Sequence, residues 1–170
     1  MKHTISVLVR NSPGVLAKIS GLFSRRGYNI ESLAVGPTEV EGVSRMTIIL
    51  EGNEQVLEQI KKQLNKLIDT IKVVDLDTNN SVSREMALIK VGVASTQQRS
   101  EVIQIVDVFR AKILDITDQV VTVEITGRHE KVDAMIELLS SFGIKEVART
   151  GNVALSRGGK VVSLPKLAKQ

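Results

Sequence analysis

The sequence predicts an α+β protein made of two tandem βαββαβ domains, each folded as a ferredoxin-like sandwich. Strands and helices follow the same order in both halves of the 170 residues, and the turn glycine before the second helix of each half recurs at Gly52 and Gly127. This order lets two crossover helices cover one face of a four-stranded antiparallel sheet. Aromatic residues make up only 2 % of the chain, so the cores must consist of Ile, Val and Leu, which favour strands.

The first half contains four predicted strands and two predicted helices. Ile5, Val7 and Val9 recur at every second position, which is the period of a strand with one buried face. Ser12 is expected to cap the first helix, with Pro13 as its first helical residue. The predicted strands cover residues 4–10, 28–35, 44–51 and 71–76; the helices run from the loop at residues 11–14 to Gly27 and over residues 54–68.

The second half repeats this order. Its predicted strands cover residues 87–94, 112–117, 120–126 and 145–150, and its helices begin near residue 99 and cover residues 130–142. We therefore predict a first domain over residues 1–78, a linker over 79–84, a second domain over 85–157 and a basic tail over 158–170. Leu8 and Ile49 point away from the predicted helices, so we expect an uncovered sheet face and dimerisation through that face or through a sheet edge.

Composition excludes several classes of protein. The chain has no cysteine, which excludes disulfides and cysteine-ligated metal centres and fits a cytoplasmic protein. No apolar run approaches the ~20 residues that span a membrane. The net charge is +4, and four of the 23 basic residues lie from residue 157 onward, at Arg157, Lys160, Lys166 and Lys169, which leaves 19 to balance 19 acidic residues. A charge-balanced body argues against nucleic-acid binding.

Catalytic groups are scarce in this sequence. His3 and His129 are expected at the surface and away from metal-ligand spacing, and no Ser-His-Asp set can be assembled, so we predict neither an enzyme nor a metal site. RNA-recognition domains share the βαββαβ order, but they stack bases on aromatic residues of their central strands. The predicted strands at residues 4–10 and 44–51 contain no aromatic residue, which argues against RNA binding.

The loop of residues 11–16 is the most informative segment. It joins a strand to a helix start, where free N–H groups and the positive end of the helix dipole suit a carboxylate. Gly14 lets a ligand approach the backbone, and the amide of Asn11 can bind an ammonium or a carboxylate. These groups suit a free amino acid. The corresponding segment of the second half, residues 94–99, has neither Pro nor Gly. The alternative is that the loop is only a well-capped helix start.

Several longer strings resemble one family. Residues 26–33 read RGYNIESL, residues 44–47 read SRMT, residues 109–116 read FRAKILDI and residues 146–151 read EVARTG. Together with the loop of residues 11–16, they resemble the regulatory small subunit of acetohydroxyacid synthase, also called acetolactate synthase, whose first domain is an ACT domain. The resemblance extends to about residue 158.

The resemblance implies a homodimer in which two ACT domains pair edge to edge and bind valine, leucine or isoleucine at their interface. Asn11, Gly14, Val15 and Leu16 of one subunit and Asn29 and Ile30 of the other would hold this effector. It further implies a catalytic large subunit that carries thiamine diphosphate, Mg²⁺ and FAD, with no cofactor on this chain. The small subunit would activate that partner and confer feedback inhibition. The alternative is an ACT-type amino-acid sensor that serves a different enzyme or a transcriptional regulator.

Overall fold

The computed structural model describes residues 1–162, so Lys166 and Lys169 of the predicted basic tail lie outside the described residues. The described residues divide into two units, Met1–Val82 together with residues 152–162, and Ser83–Gly151. The elements of the first unit are β1 (Lys2–Arg10), α1 (Val15–Ser24), β2 (Ile30–Pro37), β3 (Val43–Glu51), α2 (Glu54–Leu64) and β4 (Thr70–Leu76). The next elements are β5 (Ser81–Gly92), α3 (Thr96–Val108), β6 (Lys112–Ile116), β7 (Val120–Gly127), α4 (His129–Ser140), β8 (Ile144–Arg149) and β9 (Val153–Ser156).

The first unit is the predicted ferredoxin-like sandwich. Its antiparallel strands lie in the order β2-β3-β1-β4, which places the first and third strands at the centre. Every second residue of β1 faces the helices, so Ile5, Val7 and Val9 are buried with aliphatic residues of both helices and of β3. The buried helix residues are Val15, Ile19, Leu22, Phe23, Leu57, Ile60 and Leu64.

The second unit repeats this architecture, and the predicted fold class is confirmed for both halves. Its strands lie in the order β6-β7-β5-β8, and its core contains Ile89 and Val91 of β5 with Val102 of α3 and Met135 of α4. Both cores are largely aliphatic, as the composition predicts, although Phe23 is buried in the first.

Two predicted boundaries are wrong. The first helix begins at Val15 rather than Pro13, and its N-cap is Gly14, whose φ of 84° lies in the left-handed region. Ser12 therefore does not cap the helix, and no side chain bonds to its first turn. The predicted linker over residues 79–84 is largely strand, because a 3₁₀ turn at Thr78–Asn80, capped by the Asp77 side chain, leads directly into β5 at Ser81.

The structure also adds an element that the periodicity does not predict. Residues 152–157, here called the C-terminal strap, contain β9 and belong to the first unit, whereas the predicted second domain runs to residue 157. The strap contacts β1 and β4. Leu8, expected on an uncovered sheet face, is fully buried, so the premise of an uncovered face is wrong at this position.

Candidate functional site

The loop between β1 and α1 is held at one end of the first sheet by its backbone. The Asn11 N–H donates to the carbonyl of Gly42 at 2.8 Å, and the Ser12 N–H donates to the carbonyl of Arg10 at 3.1 Å. Gly42 lies in the turn between β2 and β3, so the loop is fixed beside that turn. The side chain of Asn11 is exposed and free to meet a ligand.

The N-terminus of α1 presents unused hydrogen-bond donors. The Val15 N–H makes a long bond of 3.4 Å to Ser12, and the Lys18 N–H bonds to Gly14. Within residues 1–162 the N–H groups of Leu16 and Ala17 have no acceptor, since no side chain caps the helix. Unpaired N–H groups at a helix N-terminus, with the positive dipole end, bind carboxylates.

Gly14 keeps this helix start open. Its φ of 84° disfavours nearly all side chains, and a Cβ atom built at this position would meet nothing within 4 Å. The space beside the first turn is therefore empty, and a ligand can approach the backbone of α1 directly.

The equivalent helix of the second unit is closed by its own side chains. Ser95 Oγ accepts from the Gln98 N–H at 3.2 Å, and Gln98 Oε1 accepts from the Ala94 N–H at 2.8 Å. This reciprocal pair resembles a capping box, with Ala94 in place of the N-cap residue as the second donor. It occupies the Gln98 N–H, which corresponds to the Ala17 N–H of α1, so the helix start of the first unit is the more open of the two.

The predicted site residues fall into two groups that one chain does not bring together. Asn11 follows Arg10, which pairs with Val43, whereas Ile30 pairs with Leu50 at the other end of β3. At ~3.4 Å per residue, the length of β2 separates these two ends by roughly 24 Å. Asn29 and Ile30 therefore cannot contact a ligand held at the loop of the same chain.

The side chains of these residues differ in what they offer a ligand. Val15 and Ile30 pack on the first core, so they can contact a ligand mainly through their backbone. Leu16 is 46 % exposed beside the helix start and offers an apolar surface. The cation of Lys18 is engaged by Asp69 at 2.6 Å, so the open N–H groups of the helix start are what this loop offers to an anion.

A second concave surface lies at the start of α2. It is an open groove of about 580 Å³ lined by Tyr28, Asn53, Glu54, Gln55, Val56, Glu58, Gln59 and Lys62. Asn53 Oδ1 accepts from the Val56 N–H at 2.9 Å and so caps this helix. Asn53 occupies one first-turn donor, and Glu54 and Glu58 add carboxylates to the lining, so the groove is the weaker candidate for binding a carboxylate.

A charged cluster in the second unit was missed by the sequence reasoning. The buried carboxylate of Glu85 contacts the Arg149 guanidinium, and Arg149 Nη1 donates to Asp133 Oδ1 at 2.7 Å. His129 Nε2 lies 3.0 Å from Asp133 Oδ2, and Arg149 Nη2 lies 2.9 Å from His129 Nδ1. Burial opposes the charge of Arg149, but hydrogen bonds to Asp133 and Glu85 raise the pKa of Arg149 overall.

This cluster corrects the expectation that His129 lies away from other potential ligands. Glu85, His129 and Asp133 are close enough to hold a metal ion. The guanidinium of Arg149 lies among them and already supplies the positive charge, so the cluster is an ion-pair network that links β5, α4 and β8. The spacing of four residues between His129 and Asp133 on a helix was the available signal.

The sandwich fold and the open helix start after β1 are those of an ACT-type domain, followed by a second domain of the same fold. Comparison with known families agrees in both units. Residues 5–72 match the family described as "AHAS small subunit-like ACT domain", and residues 84–158 match "Small subunit of acetolactate synthase". The chain belongs to the acetolactate synthase small-subunit family.

Individual relatives extend over almost the whole chain. A protein of Methanothermobacter thermautotrophicus named "Probable acetolactate synthase small subunit" is 54 % identical over 160 residues, which is 94 % of this chain and 95 % of that protein. The acetolactate synthase small subunit of Mycobacterium bovis is 53 % identical over 164 residues, covering 96 % and 97 % of the two chains. The crystal structure of the small subunit from Thermotoga maritima superposes with a TM-score of 0.87 at 44 % identity, covering 94 % of this chain and 99 % of that chain.

Within residues 1–162 no helix is long and apolar enough to cross a bilayer.

Proposed function

We propose that this chain binds the catalytic large subunit of acetolactate synthase, raises its activity and makes it sensitive to feedback inhibition by valine or another branched-chain amino acid. The observation that carries the proposal is the open N-terminus of α1, whose Leu16 and Ala17 N–H groups lack acceptors among residues 1–162. A carboxylate is the ligand that such a helix start prefers.

A homodimer would complete this site. Strand β2 is an edge strand, hydrogen-bonded on one side to β3. If β2 of two copies paired antiparallel about a two-fold axis, the start of one β2 would lie beside the end of the other. Asn29 and Ile30 of the partner subunit would then lie at the end of the sheet where Asn11 and the α1 start are found. The exposure of Val35 on β2, at 47 %, supports this edge as an interface.

The groups at this composite site match the three parts of a branched-chain amino acid. The amides of Leu16 and Ala17 would bind the carboxylate, and the side-chain oxygens of Asn11 and of the partner subunit's Asn29 would accept from the ammonium. The exposed side chain of Leu16 would contact the branched aliphatic group. A ligand that lacks either charged group would leave one set of partners unused.

Inhibition would follow from thermodynamic linkage. We place the thiamine diphosphate, Mg²⁺ and FAD of the reaction on the catalytic subunit, and assign this chain regulation alone. The effector shifts the complex toward a less active arrangement only if it binds that arrangement more tightly. A coupling of ~1–3 kcal/mol gives roughly 5- to 150-fold inhibition.

Reconstitution with the catalytic subunit tests the proposal. The purified chain should raise acetolactate formation, and valine should then lower the rate toward that of the catalytic subunit alone. Calorimetric titration of this chain with valine, leucine, isoleucine and alanine should show preference for the branched side chains. A chain that leaves the catalytic rate unchanged, or that binds none of these amino acids, contradicts the proposal.

A further inference from the structure

The C-terminal strap is anchored at both edges of the first sheet. At its start, the Asn152 N–H donates to Ser32 Oγ of β2 at 3.1 Å. At its end, the Arg157 N–H donates to the Asn80 carbonyl at 2.8 Å, and Arg157 Nε donates to the Ser81 carbonyl at 2.9 Å. Asn80 and Ser81 follow β4, which is the strand at the opposite edge from β2.

The register shows the path of the strap. Ser32, Ile49, Thr4 and Leu76 pair in one row across β2, β3, β1 and β4. Three strand spacings of ~4.8 Å give about 14 Å, and an extended segment from Asn152 to Arg157 spans about 16 Å. The strap is therefore just long enough to cross the sheet along this row, and its anchors fix it there.

The strap lies against the sheet through alternate residues. Asn152 and Ala154 are each only 4 % exposed, while Val153 and Leu155 point outward. The Asn152 side chain is buried with an unpartnered oxygen, since Oδ1 has no hydrogen-bond partner among the described residues. Release of the strap would give this oxygen access to water, so docking of the strap is opposed by one unmet hydrogen bond.

The anchor on β2 lies beside the Asn29–Ile30 half of the proposed effector site. The pairing of β2 with β3 shifts register between Ile30 and Ser32, so the regular ladder is interrupted between the effector residues and the strap anchor. An edge strand with an irregular ladder is less well fixed by its neighbour. The bond from Asn152 to Ser32 restrains β2 at this weak point.

We propose that the strap is a positioning element for the effector site: by bonding to Ser32, it fixes the start of β2, so that strap docking and effector binding favour each other. This inference rests on the proposed function and deepens it, because it assigns the strap a part in regulation. Coupling of this kind is reciprocal, so the effector must stabilise the docked strap as much as the docked strap strengthens effector binding.

Two variants of the full-length chain test the coupling from opposite edges of the sheet. Ser32→Ala removes the acceptor of the Asn152 N–H beside the effector residues. Arg157→Gln weakens the other anchor. That anchor lies at the opposite edge of the sheet, so its loss can affect the effector site only through the strap. The matched controls are Ser140→Ala and Arg84→Gln, whose side chains bond locally to Glu137 and Ser83 in the second unit.

We expect each strap variant to raise the Kd for valine by roughly two- to tenfold, the range expected for loss of one hydrogen bond. The double variant should lose less than the product of the two effects, because both act on one element. Valine should also slow hydrogen exchange at residues 152–157 of the wild-type chain. The controls should bind valine normally, and circular dichroism should show all variants folded.

The outcomes separate the two hypotheses. The inference is overturned if Arg157→Gln binds valine with wild-type affinity and valine does not change hydrogen exchange in the strap. This holds even if Ser32→Ala weakens binding, because the effect at Ser32 would then be local. A wild-type chain that binds no branched-chain amino acid instead removes the proposed function, and this inference with it.

Discussion

Replacing Gly14 tests whether the α1 start binds a carboxylate. Gly14→Asp and Gly14→Asn add side chains of the same size at a position where a Cβ atom meets nothing within 4 Å. Both residues tolerate the left-handed conformation better than other side chains, so the backbone cost, ~1–2 kcal/mol, should be similar in the two variants. Their difference in effector affinity therefore reports the charge.

The expected magnitude follows from Coulomb's law. Two carboxylates about 4 Å apart repel by ~1 kcal/mol in water and by ~4 kcal/mol near a protein surface, so Gly14→Asp should bind valine roughly 5- to 1,000-fold more weakly than Gly14→Asn. The Asp and Asn side chains can each also occupy the open N–H groups of α1 as a cap, so capping weakens valine binding in both variants and leaves their difference to the charge. Both effects act in the same direction, because each excludes the carboxylate of the effector.

Calorimetry with the full-length chain measures the affinities, and inhibition of the reconstituted complex measures the consequence. Gly143 provides a matched control in the second unit, since its φ is 91° and its surroundings are equally open. Gly143→Asp should bind valine like the wild-type chain. Equal valine affinities for Gly14→Asp and Gly14→Asn would falsify the placement of the carboxylate at this helix start.

Three further predictions test the interface and the second unit. Val35→Lys places a charge on the exposed edge of β2 and should yield monomers with weakened valine binding; light scattering that still shows dimers would argue against pairing through this edge. Arg149→Met leaves the carboxylate of Glu85, only 3 % exposed, without its main partner and should lower the free energy of unfolding by about 3–5 kcal/mol, whereas an unchanged urea midpoint would mean the cluster is not structural. Ser95→Ala should lower stability by ~1 kcal/mol in thermal unfolding without changing valine affinity, because the capping box lies outside the effector site.

Much of the fold follows from local patterns. The two-residue period of Ile5, Val7 and Val9 predicts β1 because one face of this strand is buried under helices. The strap was missed because a strand of four residues gives too short a pattern, and its place is fixed by bonds to Ser32 and Asn80, which are distant in sequence. The start of α1 was misplaced because Ser12-Pro13 is a good capping sequence, while the conformation of Gly14 delays the helix to Val15.

The candidate site was predictable in part. The open loop before α1 follows from residue types, and the structure adds that its donors lack acceptors among residues 1–162. The separation of Asn29 from Asn11 depends on the strand register, which the sequence alone does not give. That Asn11 of one subunit meets Asn29 of the other across a dimer stays a prediction.

The contrast between the two helix starts has a consequence for the stability of the first unit. An N–H group that bonds to an internal cap is not available to a bound ligand. In the second unit the Gln98 N–H bonds to the cap residue Ser95. In the first unit an amino acid that binds at α1 would act as the absent cap, so the ligand would become part of what folds the domain that detects it. We therefore expect the first unit to resist unfolding most strongly when this amino acid is abundant, and less strongly as its concentration falls.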